Sequence, residues 1–146
     1  MLIGGHIDFK ASGFEQALRL PRARREEKQM REKAEDVLRF MGIAELKDAL
    51  VVGQSYGIRK KVEMARTLMC NPKLIILDEP AAGLNDVETQ QLADNIYQVR
   101  EKYGCTILLV EHDMRLVMSI CDRICAISFG KFLACGTPSE IQNNPK

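Results

Sequence analysis

The stretch LIILDEP at residues 74–80 decides the fold of this chain, because four aliphatic residues run directly into two adjacent carboxylates. A short continuous apolar run is typical of a strand that is buried on both faces, as in a parallel sheet between helices. The carboxyl ends of such strands are where open α/β sheets bind ligands. The segment therefore predicts a strand of an α/β fold that ends at a ligand site.

The two carboxylates that follow this strand, Asp78 and Glu79, indicate what the ligand is. Adjacent ionised carboxylates repel each other unless a cation or a phosphate-bound metal lies close by. This favours Mg²⁺ at Asp78 and the handling of a proton or a water molecule by Glu79. The alternative is a strand that simply ends in polar residues on its way into a loop. The neighbouring segments distinguish a ligand site from such an ordinary strand end.

A second candidate site lies upstream, where Ser55-Tyr56-Gly57 precedes a predicted helix. Ser55 is a good N-cap residue. The apolar residues that follow recur at helical spacing, namely Val62, Ala65, Leu68 and Met69. Exposed backbone N–H groups and the helix dipole suit a helix start to phosphate binding. The basic run 59–61 either strengthens that positive potential or is an ordinary solvated helix face.

The order of these parts resembles that of the ATP-binding-cassette (ABC) ATPases. Within that superfamily the sequence is most similar to the ATP-binding subunits of branched-chain amino-acid importers. The segments that carry the similarity are DEPAAGLN at 78–85, ILLVEHDM at 107–114, CDRI at 121–124 and GTPSEI at 136–141. The resemblance implies ATP and Mg²⁺ as cofactors.

The resemblance also implies a role for each residue at the strand ends. Asp78 matches the residue that holds Mg²⁺ through water. Glu79 matches the general base that polarises the attacking water, and His112 matches the switch histidine that contacts the terminal phosphate. Glu79 and His112 are therefore the expected catalytic residues, and Asp78 is the expected metal residue.

Two further segments match parts that act across a dimer interface in the family. Ser55, Tyr56 and Gly57 fall on the signature motif, which grips the ATP bound to the partner subunit. The loop at 82–85 matches the loop that crosses the interface, so that Gly83 and Asn85 are expected to contribute to nucleotide binding.

The sequence departs from the family pattern at two places. It contains no G-x-x-x-x-G-K-[ST] motif, and its only adjacent glycines, at 4–5, are followed by His6 and Ile7. The chain is thus expected to be a cassette without its front part and to be inactive by itself. The signature motif usually opens with Leu and closes with Gln, whereas this chain has Gln54 and Ile58. The Ile58 side chain cannot form hydrogen bonds with a nucleotide.

Composition is consistent with a single domain or a large part of one. The 146 residues are 46% hydrophobic, enough to form a core, and the net charge of +1 gives no reason to expect binding to nucleic acid or to an anionic membrane. No apolar stretch is long enough to span a bilayer and the N-terminus lacks a signal-peptide pattern, so a cytoplasmic location is expected.

The five cysteines do not show the spacing of a zinc site or of a disulfide framework. They lie in apolar contexts, and their odd number favours free thiols in a reducing compartment. We therefore expect buried free thiols at Cys70, Cys105, Cys121, Cys125 and Cys135.

Two regions are predicted, 1–72 and 73–146. The first is a helical subdomain that includes the signature motif. A capping box is predicted at Ser12 and Glu15, and an apolar stripe that ends at Gly42 is formed by Met30, Ala34, Val37, Leu38 and Met41. In the second, strands and helices alternate as in the C-terminal part of a RecA-like nucleotide-binding core. Asn85 and Glu88 have capping-box spacing before a helix that is followed by Gly104, and 106–110 is predicted to be a second buried strand. A turn between two further strands is predicted at Gly130, and 137–140 is predicted to be the capped start of a last helix. The fold class is therefore α/β: a partial P-loop NTPase core of the ABC type, with parallel strands flanked by helices, plus an α-helical subdomain.

Three hypotheses about function remain open at this point. The resemblance implies an ATPase subunit of an amino-acid importer that pairs with a second ABC ATPase subunit and drives transmembrane permease subunits. It would then lie in the cytoplasm, peripherally on the inner face of the plasma membrane. Alternatively, the chain is a non-catalytic module that pairs with an intact cassette or a permease, or a truncated product without function.

Overall fold

The computed structural model describes residues 21–144 of the chain. Intramolecular contacts divide the chain into two compact units, with the division between Ile75 and Ile76. The predicted capping box of Ser12 and Glu15 and the glycine pair at 4–5 lie outside the described residues. The predicted domain boundary at 72/73 stays a prediction.

The described part of the first unit is helical. Helix α1 spans Pro21–Phe40, a 3₁₀ helix spans Ala44–Leu46, and helix α2 spans Tyr56–Leu68. The predicted apolar stripe of α1 is confirmed, since all five of its members are buried. This stripe contacts α2, and the Lys33 ammonium donates a hydrogen bond of 2.6 Å to the Met69 carbonyl at the end of α2.

Helix α1 ends as its sequence predicts, in a glycine with left-handed backbone. Gly42 has a φ of +65°, which is strained for any residue with a Cβ atom. Its N–H donates to the Arg39 carbonyl at 3.1 Å, and the Ile43 N–H donates to the Leu38 carbonyl at 3.0 Å. These two bonds form a Schellman motif, which satisfies carbonyls that the helix end would otherwise leave without donors.

The central sheet follows the predicted order of strand, helix and strand. Strand β1 spans Leu74–Asp78, helix α3 spans Asp86–Tyr103, and strand β2 spans Thr106–Val110. The two strands are parallel neighbours, as a helical connection requires. Helix α3 begins with the predicted capping box of Asn85 and Glu88 and ends at Gly104, which has a φ of +58°.

One expectation about this sheet is wrong for the described residues. The apolar runs predicted strands buried on both faces, but only one face is covered. Ile75 is 2% exposed, whereas four apolar side chains of these strands are at least half exposed, namely Leu74, Ile76, Leu108 and Val110. An apolar run alone does not show which part of a chain covers its second face.

The second unit ends in a short helix, a hairpin and a last helix turn. Helix α4 spans Met114–Ile120, antiparallel strands β3 and β4 span Ile124–Ser128 and Lys131–Gly136, and helix α5 spans Pro138–Gln142. The predicted turn at Gly130 and the predicted capping box of Thr137 and Glu140 are both present. Among the described helices, none has the length and apolar character needed to cross a membrane.

Candidate catalytic site at the strand ends

The backbone turns sharply where β1 ends. Glu79 has a φ of +44°, a left-handed conformation that is uncommon for a residue with a side chain. Its N–H donates a hydrogen bond of 2.9 Å to the carbonyl of Val110, the last residue of β2. Strained conformations of this kind persist only where the surrounding structure holds them, and they concentrate at functional sites. The turn leaves the Asp78 and Glu79 side chains exposed at the carboxyl edge of the sheet.

A buried carboxylate joins the two loops that leave the sheet. The Glu111 side chain is 1% exposed and follows directly after β2. Its Oε1 accepts a hydrogen bond of 2.8 Å from the Ala81 N–H, in the loop after β1. Its Oε2 accepts hydrogen bonds from the backbone N–H groups of His112, at 3.0 Å, and Asp113, at 3.4 Å. One side chain therefore fixes both loops through backbone groups.

Glu111 is the residue that sequence reasoning missed. It occurs in the motif at 107–114, but no role was predicted for it. Its place at the end of a buried-type strand and beside a candidate histidine is the signal that could have drawn attention to it. That signal does not show that the Glu111 carboxylate accepts a hydrogen bond from the Ala81 N–H, thirty residues earlier in the chain.

The structure brings the two predicted catalytic residues together. His112 Nδ1 lies 3.7 Å from Glu79 Oε1 and 3.6 Å from Glu111 Oε2. The His112 imidazole is 77% exposed and the Glu79 side chain is 59% exposed, so both side chains reach solvent. The buried Glu111 side chain holds their loops through hydrogen bonds to the backbone. An exposed carboxylate beside an exposed imidazole can take a proton from water and can also offer a donor to an anion.

The loop between β1 and α3 is held by successive turns. The Ala82 N–H donates to the Glu79 carbonyl at 3.1 Å, and the Leu84 N–H donates to the Ala81 carbonyl at 3.0 Å. Gly83 has a φ of +78°, which favours glycine at this position. Asn85 Oδ1 then accepts from the Glu88 N–H at 2.9 Å and caps α3. The predicted residues Gly83 and Asn85 thus lie in one ordered, exposed loop.

An ion pair links the starts of α3 and α4 beside this loop. Arg115 Nη2 lies 2.9 Å from Asp86 Oδ1, and that hydrogen bond is the main cause that raises the pKa of Arg115. Asp113 caps α4 by accepting from the N–H groups of Arg115, at 2.9 Å, and Leu116, at 3.4 Å. Desolvation raises the pKa of Asp113, but these hydrogen bonds and the charge of Arg115 outweigh it, so the pKa is lowered.

The signature segment lies in the other unit and is described by itself. Ser55 caps α2 as predicted, since its Oγ accepts a hydrogen bond of 3.3 Å from the Ile58 N–H. The Tyr56 ring has two cations over it, the Arg59 guanidinium and the Lys60 ammonium, each 5.4 Å from the ring centroid. Ser55 and Tyr56 are exposed and Gly57 is half-buried.

A cavity of about 530 Å³ lies beside this segment on α2. It is lined by Val51, Tyr56, Arg59, Lys60, Val62, Glu63 and Arg66. Lys60 Nζ lies 3.7 Å from Glu63 Oε2, so part of the positive charge predicted for this helix start is neutralised within the helix. The remaining cations keep the cavity net basic.

A magnesium ion bound with ATP fits the donors present at the strand ends. Among residues 21–144, no group of three His, Cys, Asp or Glu side chains is arranged to hold a metal. Mg²⁺ does not need one, because it is commonly bound by one or two carboxylates while phosphate oxygens and waters complete its octahedron. The exposed Asp78 carboxylate, at the edge where ligands bind, is a donor of the required kind.

Comparisons with known proteins agree on one family. The model of the ABC transporter family matches residues 9–82. The chain is 40% identical over 145 residues to the high-affinity branched-chain amino acid transport ATP-binding protein LivG of Salmonella typhimurium. It is 38% identical over the same length to the corresponding protein BraF of Pseudomonas aeruginosa. These matches cover 99% of this chain but 57% of each relative, so the chain spans little more than half of their length.

Solved structures give the same result. The chain resembles the ADP conformation of MJ1267, an ATP-binding cassette of an ABC transporter, with a TM-score of 0.78 and 28% identity over 99% of this chain and 57% of that one. It also resembles cbiO1 from Clostridium perfringens, part of the ABC transporter complex cbiONQ, with a TM-score of 0.75 and 31% identity. That match covers 80% of this chain and 46% of the other.

Proposed function

Because this chain belongs to the ABC transporter family, whose model matches half of its length, we propose that it acts within the ATPase subunit of an importer for branched-chain amino acids. The α/β fold predicted from the sequence is confirmed as that of the ABC ATPases. The substrate class rests on the names of relatives such as LivG and BraF. The activity rests on the site.

The observation that carries the proposal is the trio at the strand ends. The buried Glu111 side chain accepts hydrogen bonds from both loops, and His112 Nδ1 lies 3.7 Å from Glu79 Oε1 at the exposed surface of the site. Glu79 would accept the proton of a water that attacks the terminal phosphate of ATP, and His112 would donate a hydrogen bond to that phosphate. Both roles require an exposed side chain on a loop that is held in place. Glu79 and His112 are exposed, and the hydrogen bonds of Glu111 hold their loops.

Asp78 would hold Mg²⁺ through water, and the bound ion would neutralise the charge that develops on the phosphate oxygens. Ser55, Tyr56 and Gly57 would contact the ATP of a second ABC ATPase subunit. Gly83 and Asn85 would lie at the interface between the two subunits. This subunit pair would drive transmembrane permease subunits from the cytoplasmic face of the membrane.

The proposal is tested by titrating the 146-residue protein with Mg-ATP. Calorimetry should show binding weaker than about 100 µM, or less than about 5.5 kcal/mol, because the sequence has no G-x-x-x-x-G-K-[ST] loop to supply most of the phosphate contacts. Amide resonances of Glu79, His112 and the segment 55–57 should nevertheless shift at millimolar Mg-ATP.

Two variants sharpen this titration. Asp78→Asn should reduce the shifts produced by Mg-ATP but not those produced by ATP with EDTA, because the lost carboxylate acts on the metal. Glu79→Gln should retain the shifts, since its role is in hydrolysis and not in binding. Resonances at 78–79 and 112 that do not move at any Mg-ATP concentration would exclude the proposed roles.

A second candidate function, pairing with an intact cassette, is favoured by the exposed Ser55 cap at the start of α2. In that case the protein should co-elute with the LivG protein of Escherichia coli, a relative that is 39% identical, in Mg-ATP but not in Mg-ADP. The variant Ser55→Arg should abolish co-elution, and Ser119→Arg, on helix α4, should not. Co-elution that does not depend on nucleotide would contradict this function.

A further inference from the structure

The hairpin of β3 and β4 places two cysteines directly opposite each other. Cys125 pairs with Cys135 in the antiparallel register, between the pairs Ile124 with Gly136 and Ala126 with Ala134. Both thiols are free and exposed. The expectation of buried thiols is therefore confirmed for Cys105 but wrong for these two and for Cys70, which is also exposed, whereas Cys121 is half-buried.

The register places the two cysteines at a backbone separation that a disulfide can span. Directly opposed residues of an antiparallel pair have Cα atoms about 4.5 or 5.5 Å apart, depending on the type of pair. Disulfides span Cα distances of about 4.4–6.8 Å. Either type of pair lies inside this range, so a bond between Cys125 and Cys135 does not require the strands to move closer together.

The surroundings make one of the two sulfurs the better nucleophile. The hydrogen bond between the two thiols is the main cause that lowers the pKa of Cys135 and raises the pKa of Cys125. Arg123 Nη2, which lies 3.9 Å from Cys135 Sγ, lowers the pKa of Cys135 further. Desolvation and the negative charge of Glu140, on α5, act in the opposite direction, but the pKa of Cys135 is lowered on balance.

We propose that Cys125 and Cys135 form a reactive dithiol, which small-molecule disulfides such as oxidised glutathione convert into an intramolecular disulfide across the hairpin. This property is independent of the proposed ATPase function. It follows from the register, from the exposure of both thiols and from the guanidinium beside one of them.

The reaction proceeds in two exchanges. The Cys135 thiolate attacks one sulfur of oxidised glutathione, forms a mixed disulfide and releases one glutathione thiolate, which takes up the proton that Cys135 had lost. Cys125 then loses its proton and attacks Cys135 Sγ, and the second glutathione leaves with that proton. The protein gives up two electrons and two protons, and one glutathione disulfide takes them up to become two glutathione thiols.

The test is to incubate the reduced protein with oxidised glutathione, alkylate the remaining thiols and digest with trypsin. Cleavage after Arg123 and Lys131 separates the two cysteines, because Lys131, the first residue of β4, lies between them in the sequence. The expected product is a cross-linked pair of peptides, 124–131 with 132–146, that is lighter by two hydrogen atoms than the sum of the free peptides. In the denatured protein, three of the five thiols should remain titratable.

Variants distinguish this dithiol from indiscriminate oxidation. Cys70→Ser removes an exposed cysteine of the other unit and should leave the cross-link unchanged. Cys125→Ser should accumulate the mixed disulfide at Cys135, because the second exchange is blocked. Arg123→Gln should lose its two reactive thiols at a several-fold lower rate, since less Cys135 thiolate is present at neutral pH. Trypsin does not cleave this variant at position 123, so its cross-linked product is 116–131 with 132–146.

The proposal is overturned by either of two results. One is a stable mixed disulfide at both Cys125 and Cys135 of the wild-type protein, which would mean that the sulfurs react independently. The other is a cross-link of 116–123 with 124–131, which would identify Cys121 as the partner. Circular dichroism of each variant before oxidation establishes that a lost cross-link is not a lost fold.

Discussion

A carboxylate removed from water needs several hydrogen-bond donors, and Glu111 obtains them from the backbone. Three N–H groups donate to its two oxygens, one from the loop after β1 and two from the loop after β2. Its side chain is 1% exposed, so water does not replace a donor that is lost. The positions of Glu79 and His112 therefore depend on a residue that does not reach the surface.

Glu111→Gln should destabilise the protein although it changes few atoms. The amide keeps one acceptor oxygen, but its NH₂ group would face backbone donors, and at least one N–H that now bonds to the buried carboxylate would lose its partner. Such a group costs about 2 kcal/mol, so the free energy of unfolding measured in urea should fall by about that amount. The unfolding slope should stay the same, because the surface exposed on unfolding does not change.

Glu101→Gln is the matched control for this prediction. Glu101 lies on α3 with a side chain 59% exposed, and its charge is lost in the same way. An exposed substitution of this type should change the free energy of unfolding by less than about 0.5 kcal/mol. Equal effects of the two variants would mean that net charge, and not the backbone hydrogen bonds, is what Glu111 contributes.

At the scale of one element, α4 shows how a short helix depends on its first residue. Its seven residues leave four N–H groups at the start without helical partners, and Asp113 satisfies two of them. The pKa of Asp113 is lowered in the folded protein. A lowered pKa means that the folded state favours the carboxylate, so this stabilisation is complete above the unfolded pKa of about 3.9. It is lost as the pH falls through the folded pKa.

The acid dependence of stability should therefore become shallower in Asp113→Asn. Asn is also a good N-cap, so the helix keeps its cap while the titrating group is removed. Urea midpoints measured between about pH 5 and pH 2.5 should fall less in this variant than in the wild-type protein. The substitution Asp94→Asn, at an exposed residue within α3, serves as the control. If the urea midpoint of Asp113→Asn falls with pH as steeply as that of the wild-type protein, the Asp113 carboxylate does not contribute to acid unfolding.

The elements that were predicted well are those whose ends are set by local chemistry. The capping boxes at Asn85 and Thr137 and the left-handed glycines at 42 and 104 all occur where the sequence places them. Each of these signals acts within about one helical turn, so a sequence pattern contains all of it. The contact between Glu111 and Ala81 spans thirty residues, and no local pattern contains it.

At the scale of the whole molecule, the sheet shows where such patterns stop being sufficient. The runs at 74–77 and 106–110 predict strands correctly, but burial depends on what covers each face. In the described residues, the face that carries Ile76, Leu108 and Val110 stays at least half exposed. The hairpin cysteines are a second case of the same kind, since an apolar context predicted burial but both thiols are exposed.

The exposed sheet face should bind an apolar dye without forming a stable dimer. Each half-exposed side chain offers about 1 kcal/mol on burial, so Ile76, Leu108 and Val110 of two paired copies would contribute about 6 kcal/mol. Association costs at least about 4 kcal/mol, and the remaining ~2 kcal/mol is far below the ~8.2 kcal/mol of a micromolar Kd. The protein should therefore remain monomeric at micromolar concentration. The double variant Leu108→Thr, Val110→Thr keeps residues that favour strands and should lose most of the fluorescence of bound anilinonaphthalene sulfonate. Tyr97→Gln, which removes a half-exposed ring on α3, should retain it. Unchanged fluorescence in the double variant would place the dye elsewhere and contradict the exposure of this face.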